Sequence, residues 1–182
     1  MRAGIGEEFA PMVISDSLTS CRAIRWLVLA CLMANGAALA QEKPGDADLC
    51  YRTVTQQKVT PGAVLAACSR VIAAGNRGKA ELAMAHANRG ALLLHAGRLD
   101  DAIADFTQAL ALEPDSAMAL ANRGEAYRLS RRYEEAVADE DAAIKLDPKL
   151  ELAYLDRAAV YAATERWKLA IADLDEAIRL DP

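Results

Sequence analysis

Asn88-Arg89-Gly90, Asn122-Arg123-Gly124 and Asp156-Arg157-Ala158 follow one another at steps of 34 residues. Downstream, Ala102-Ile103-Ala104-Asp105 returns as Ala136-Val137-Ala138-Asp139 and then as Ala170-Ile171-Ala172-Asp173, again 34 apart. Pro114, Pro148 and Pro182 close the units at the same step. Three signatures held in phase define three units, 83–116, 117–150 and 151–182. A fixed period of roughly 20–50 residues marks an array in which each unit buries its apolar face only against its neighbours.

Each unit reads as two helices. The first carries small or apolar residues at helical spacing, as in Leu120, Gly124 and Tyr127. In unit one it is expected to stop near Gly97, because glycine takes the left-handed conformation that ends a helix; Arg131 and Glu165 stand near the equivalent turns. The second helix of unit one places Ala102, Phe106, Ala109 and Leu110 on one face and ends before Pro114. Proline disfavours the helical conformation in the residue ahead of it, so Pro114 and Pro148 separate the units. Gly90, Gly124 and Ala158, with Ala102, Ala136, Ala170, Ala109, Ala143 and Ala177, fall where helices must approach closely. A larger side chain there would cost about 1–3 kcal/mol. Tyr127, Tyr154, Tyr161 and Trp167 are expected to fill wider spaces.

With these residues the sequence resembles the tetratricopeptide-repeat (TPR) family. The matching positions are Gly90, Gly124 and Ala158; Leu93, Tyr127 and Tyr161; the paired alanines; and the closing prolines. The resemblance implies an all-α fold, a solenoid of antiparallel helix pairs with three repeats. His86 departs from the pattern by occupying a slot the family fills with tryptophan or a bulky apolar residue. Glu140 replaces the aromatic found at Phe106, with Leu174 a partial match, and is expected to carry its carboxylate out to solvent.

The resemblance also implies a concave groove lined by the first helices. Register places Met84, Ala87, Ala91, Leu94 and His95 there from unit one. Unit two adds Met118, Ala121, Glu125, Arg128 and Leu129, and unit three adds Leu152, Leu155, Ala159, Ala162 and Ala163. Asn88 and Asn122 flank the groove, where an amide can both donate to and accept from a peptide backbone. The expected ligand is an apolar or amphipathic segment of another protein, with Glu125 and Arg128 setting its polarity. Family members that clamp a terminal carboxylate use lysine, asparagine and arginine. Asn122 fits that pattern, but Ala87, Leu152 and Asp156 do not. Arg123 and Arg157 follow Asp105 and Asp139 by 18 residues, and cross-helix ion pairs between them are expected to set the superhelical turn.

Ahead of the repeats, residues 41–82 read as an N-terminal segment with a degenerate capping helix. Thr60-Pro61 is a helix start, and Pro61–Ala74 is expected to be helical and to end at Gly75. Cys50 and Cys68 are expected to form a disulfide that clamps the upstream segment onto this helix; two buried free thiols are the alternative. Residues 1–40 have the three-part layout of an export signal: Arg22 and Arg25, the apolar run Trp26–Ala34, and Ala38-Leu39-Ala40 as the cleavage site. The true start is placed near Met12. The run is short for a membrane span, so export to the periplasm or beyond is expected, with membrane anchoring as the alternative and lipidation at Cys31 less well supported. No polar helix follows the third unit. Its apolar end face is therefore expected to meet a partner or a second copy, unless the reading frame is shortened.

No catalytic chemistry stands out. The 182 residues carry a formal net charge of −5, which leaves no electrostatic footprint for nucleic acid. His86 and His95 are nine apart, a spacing that does not bring two metal ligands onto one turn-to-turn stripe. Paired thiol, phosphate-loop and nucleophile motifs are missing from the exported portion. Acidic neighbours such as Asp100-Asp101 and Glu134-Glu135 point in different directions on a helix. The expected function is thus non-enzymatic: a binding scaffold without cofactor, with a structural spacer or a self-associating envelope subunit as the alternative.

Overall fold

The computed structural model describes residues 43, 45–51 and 59–181, and every described element of regular structure is a helix. Two precede the repeats: α1 (Asp46–Tyr51) and α2 (Pro61–Ala74). Six follow as pairs: α3 (Lys79–His95) with α4 (Leu99–Leu112), α5 (Ala117–Leu129) with α6 (Tyr133–Leu146), and α7 (Glu151–Ala163) with α8 (Trp167–Leu180). The expected export signal and cleavage site, within residues 1–40, and Pro182 lie outside the described residues.

The turn inside each pair is one structure made from different residues. Gly97 has φ 72°, and Arg131 and Glu165 both adopt φ 60°. After them, the N–H groups of Arg98, Arg132 and Arg166 donate to the carbonyls of Leu93, Tyr127 and Tyr161 at 2.8–2.9 Å. This bond closes the first helix and satisfies carbonyls it would otherwise orphan. Two non-glycine residues accept a left-handed backbone, at about 1–2 kcal/mol each, to preserve it. Thr60 caps α2 by accepting from Ala63 N–H, and Gly75 ends it at φ 61°. Ser116 caps α5 in the same way.

Within the first two pairs a small residue on the first helix receives a large one from the second. A Cβ on Gly90 would stand 2.9 Å from the Phe106 ring. Gly124 receives Glu140 instead, so tightly that a Cβ there would overlap its carboxylate. Glu140 therefore does not reach solvent, as its residue type led us to expect. It is 0% exposed, and neither carboxylate oxygen has a hydrogen-bond partner. The pocket that takes a phenyl ring in unit one takes a carboxyl in unit two, and its walls give that carboxyl no way out.

The ion pairs obey the same local rule, and here too the expected register is corrected. Arg123 pairs with Asp139 of its own unit, not with Asp105. Its Nε and Nη2 donate to the two carboxylate oxygens at 2.7 and 2.8 Å. Arg89–Asp105 and Arg157–Asp173 repeat this fork at 2.7–2.9 Å. A planar guanidinium matches a carboxylate bidentately only when the two helices are held side by side, as they are within a pair. The remaining Nη1 of each arginine reaches back to the preceding unit: to Ser69, Thr107 and Asp141 respectively. Burial works to raise the Asp105 carboxyl, but hydrogen bonds from Arg89 and His86 outweigh it and hold it below the ordinary range. His86 thus contributes an Nδ1···Oδ1 contact of 2.9 Å where the family expectation is apolar bulk.

At the N-terminal end, a disulfide joins Cys50 of α1 to Cys68 of α2. Both sulfurs are buried with Val64, Ala67, Val71 and Ala85, so the bridge takes the place of an interlocking pair in a short helix too small to supply one. Arg70 grips Asp46 across the same contact at 2.6 and 2.7 Å.

Candidate functional site

Curvature identifies the inner face. Among the described residues, α3 packs directly on α5 and α5 on α7, whereas α4 and α6, and α6 and α8, do not come into contact. First helices close together and second helices spread apart make a stack that bends with α3, α5 and α7 inside.

That face carries a row of apolar side chains at one register. Met84 and Met118 are 50% and 51% exposed, and Leu152 continues the row. Leu155, Leu129, His95 and Ala163 are exposed beside them, and Ala87, Ala91, Leu94, Ala159 and Ala162 are half-buried. Between α3, α4 and the start of α5 the face opens into a cavity of about 230 Å³. Met84 and Ala87 line it with Ala80, Ala83, Ala109, Glu113, Ser116 and Ala119. Ala80 was not anticipated because α3 starts a full turn before the repeat register, at Lys79.

Two residues expected in the lining are not available there. Ala121 is 0% exposed and packs in a cluster with Leu110, Ala119, Leu120, Ala143 and Ala153. Its helix α5 has first helices on both sides, so a methyl group at this register is covered where Ala87 and Leu155 remain reachable. Asn88 donates its amide to the Cys50 carbonyl at 3.0 Å, which ties it to the cap. Asn122, one unit on, makes no side-chain hydrogen bond among the described residues.

The polar part of the face is acidic. Arg128 is held by Glu125 through two hydrogen bonds of 2.6 and 2.7 Å, so these two charges largely answer each other. Asp156, at the register of Asn88 and Asn122, is half-buried, and its Oδ2 has no partner. Burial and the charge of Glu125 push its carboxyl up to about 7, with Arg128 opposing. Behind it, burial first and then the charges of Asp156, Asp139 and Glu125 push Glu140 up to about 10, against Arg157. The only warning of this in the sequence was that Asp156 and Glu140 both depart from the family pattern. Among the described residues no group of three side chains could hold a metal ion, and no helix is long and apolar enough to cross a membrane.

Residues 88–151 match the tetratricopeptide repeat family model. No curated protein matches the chain in sequence. Among solved structures, the TPR domain of Arabidopsis OM64 is 27% identical with a TM-score of 0.57, covering 58% of this chain and 87% of that one. The second TPR of Spaghetti (RPAP3), bound to the HSP90 peptide SRMEEVD, is 29% identical with a TM-score of 0.54, covering 55% and 87%. The second TPR domain of human RPAP3, in complex with the HSP70 peptide SGPTIEEVD, is 28% identical with a TM-score of 0.55, covering 58% and 88%. The repeat period, the helix-pair stack and these likenesses agree: residues 88–151 match the tetratricopeptide-repeat family model, and the fold is that of a tetratricopeptide-repeat solenoid.

Proposed function

We propose that this chain is a protein-interaction scaffold of the cell envelope whose inner face binds an apolar or amphipathic segment of another protein. The observation that carries the reading is the row Met84, Met118 and Leu152, exposed at one register beside an apolar cavity. Unbranched methionines adapt to varied apolar partners, and burying a row of this kind contributes about 25 cal/mol per Å². The peptide complexes of similar domains support the mode of binding. Their acidic peptides do not transfer, because Ala87, Leu152 and Asp156 stand where cationic or amide groups would have to meet a terminal carboxylate. Location in the envelope is supported by the signal-like layout of residues 1–40 and by the Cys50–Cys68 bridge, since disulfides persist in oxidising compartments. A peptide library panned on the chain and on its Met84→Glu/Met118→Glu variant tests the binding mode. The account expects apolar or amphipathic peptides from the first and their loss from the second, with helicity retained. The same peptides from both would sink it.

A second reading has its own observation. Trp167, Ile171, Leu174 and Ile178 form an exposed stripe on α8, reaching 64% exposure at Ile178. At the same register in α4, Ile103, Phe106 and Leu110 are buried and Leu99 is half-buried. Self-association through this stripe would appear in sedimentation as a dimer that Ile171→Glu/Ile178→Glu disperses. A monomer at all concentrations would dismiss it.

A further inference from the structure

We propose that α8 pairs with α8 of a second copy of this chain, antiparallel about a two-fold axis, with Lys168 of each copy set against Asp175 of the other. The inference rests on the self-association reading and gives it a geometry and a charge code.

Spacing supplies the seam. Trp167, Ile171, Leu174 and Ile178 follow one another at steps of four, three and four residues, the rhythm of a helix that meets another along one stripe. They are 59%, 59%, 43% and 64% exposed, and among the described residues α8 packs on α7 alone. Four such side chains present roughly 500 Å² in each copy, so a pair covers about 1,000 Å², the lower bound of a specific interface. In α4 the counterpart of Ile178 is Leu110, buried in a cluster with Ala119, Leu120 and Ala121 of α5. The stripe on α8 is the same kind of helix-docking surface, left open by the described residues.

Charge selects the occupant. Lys168 and Asp175 lie on one flank of the seam, seven residues apart. Both are exposed, and neither has a hydrogen-bonded or ionic partner among the described residues. About 10 Å of helix rise separates them, too far for them to answer each other. Lys168 also breaks the repeat. Its register holds Asp100 in α4 and Glu134 in α6, acids that suit the positive end of a helix, whereas the first turn of α8 has none. A lysine at that end calls for an acid from outside, and antiparallel pairing of two copies supplies one twice. With Ile171 facing Leu174 and Trp167 facing Ile178 across the axis, each Lys168 comes alongside the other copy's Asp175. A parallel pair would turn this flank toward Ala170 and Ala177, which are buried in their own chain and carry no charge. A helix docking as α5 and α7 do would instead bring an arginine to Asp175, as Arg123 reaches Thr107 and Arg157 reaches Asp141. It would leave Lys168 unanswered, because those helices make no bond to Asp100 or Glu134.

Sedimentation equilibrium of the full chain and of Lys168→Glu and Asp175→Lys, alone and mixed, tests the pairing. The wild-type chain is expected to dimerise in the micromolar range. Each variant alone sets like charges together at both ends of the seam and should dimerise about tenfold more weakly. Both positions are exposed, so the helical spectrum should stay unchanged. An equimolar mixture should form a heterodimer as tight as the wild-type pair, because one variant then offers two acids and the other two lysines. A dimer that the reversals leave unchanged, or that mixing does not restore, refutes the antiparallel pairing and leaves self-association standing. A monomer at every concentration refutes both, and assigns the stripe to a different protein or to residues of this chain outside those described.

Discussion

Glu140 makes the stability of this protein depend on pH in an unusual direction. Its folded carboxyl titrates near 10, against an ordinary 4.5. Throughout that window the folded chain holds a proton that the unfolded chain has released, so unfolding liberates a proton and rising pH favours it. The stability the neutral acid confers is fully present below the unfolded value and drains away as pH rises toward the folded one. The slope is about 1.4 kcal/mol per pH unit. Asp156, raised to about 7, adds a similar slope only below neutrality, so the range above pH 7 isolates Glu140. Between about pH 7 and 8.5 the wild-type chain should lose about 2 kcal/mol that Glu140→Gln does not. Urea denaturation followed by helical circular dichroism, at several pH values for both chains, measures the difference. Parallel stability lines would refute the reasoning, because they would mean that Glu140 is either hydrated or ionised in the fold.

Three further outcomes follow from the repeat geometry. Arg131→Gly and Glu165→Gly relieve the left-handed strain at φ 60° and should each stabilise the chain by about 0.5–1 kcal/mol, read from the urea midpoint. A double-mutant cycle on Arg123 and Asp139 should show about 1–3 kcal/mol of coupling, while the Asp105–Arg123 cycle should show close to none. Opening the Cys50–Cys68 bridge, which spans 18 residues, removes about 3 kcal/mol of chain constraint. Cys50→Ser/Cys68→Ser should therefore raise hydrogen exchange in α1 and α2 while leaving α5 to α8 unchanged, because repeats are coupled mainly to their neighbours.

Much of the fold was legible because a repeat states each position three times. Gly90, Gly124 and Ala158 agree, the alanines of the second helices agree, and the prolines agree, so the period overrode any single ambiguous residue. What was missed lies where the units differ or where geometry decides between equal spacings. Arg123 sits 18 residues after one aspartate and 16 before another, and only the side-by-side packing of a helix pair selects Asp139. Glu140 is polar by type, yet the slot facing Gly124 has no exit. Ala121 shares its register with Ala87 and Leu155, but the middle helix of the inner face is covered on both flanks. Arg131 and Glu165 carry no mark of a left-handed turn; the bond from the next residue's N–H to the carbonyl five positions back along the chain imposes it. The acidic corner near Asp156 was visible only as a departure from the family pattern, and its unpartnered oxygens required three dimensions.

Site-specific photocross-linking tests the central claim most directly. A benzophenone side chain replaces Met118 on the inner face of α5 in one chain and exposed Lys145 on α6 in another, and each is irradiated in the producing cell. The account predicts an adduct with a different protein from the Met118 position and none from the Lys145 position. Adducts from both positions alike, or from Met118 only at the mass of a homodimer, would contradict it.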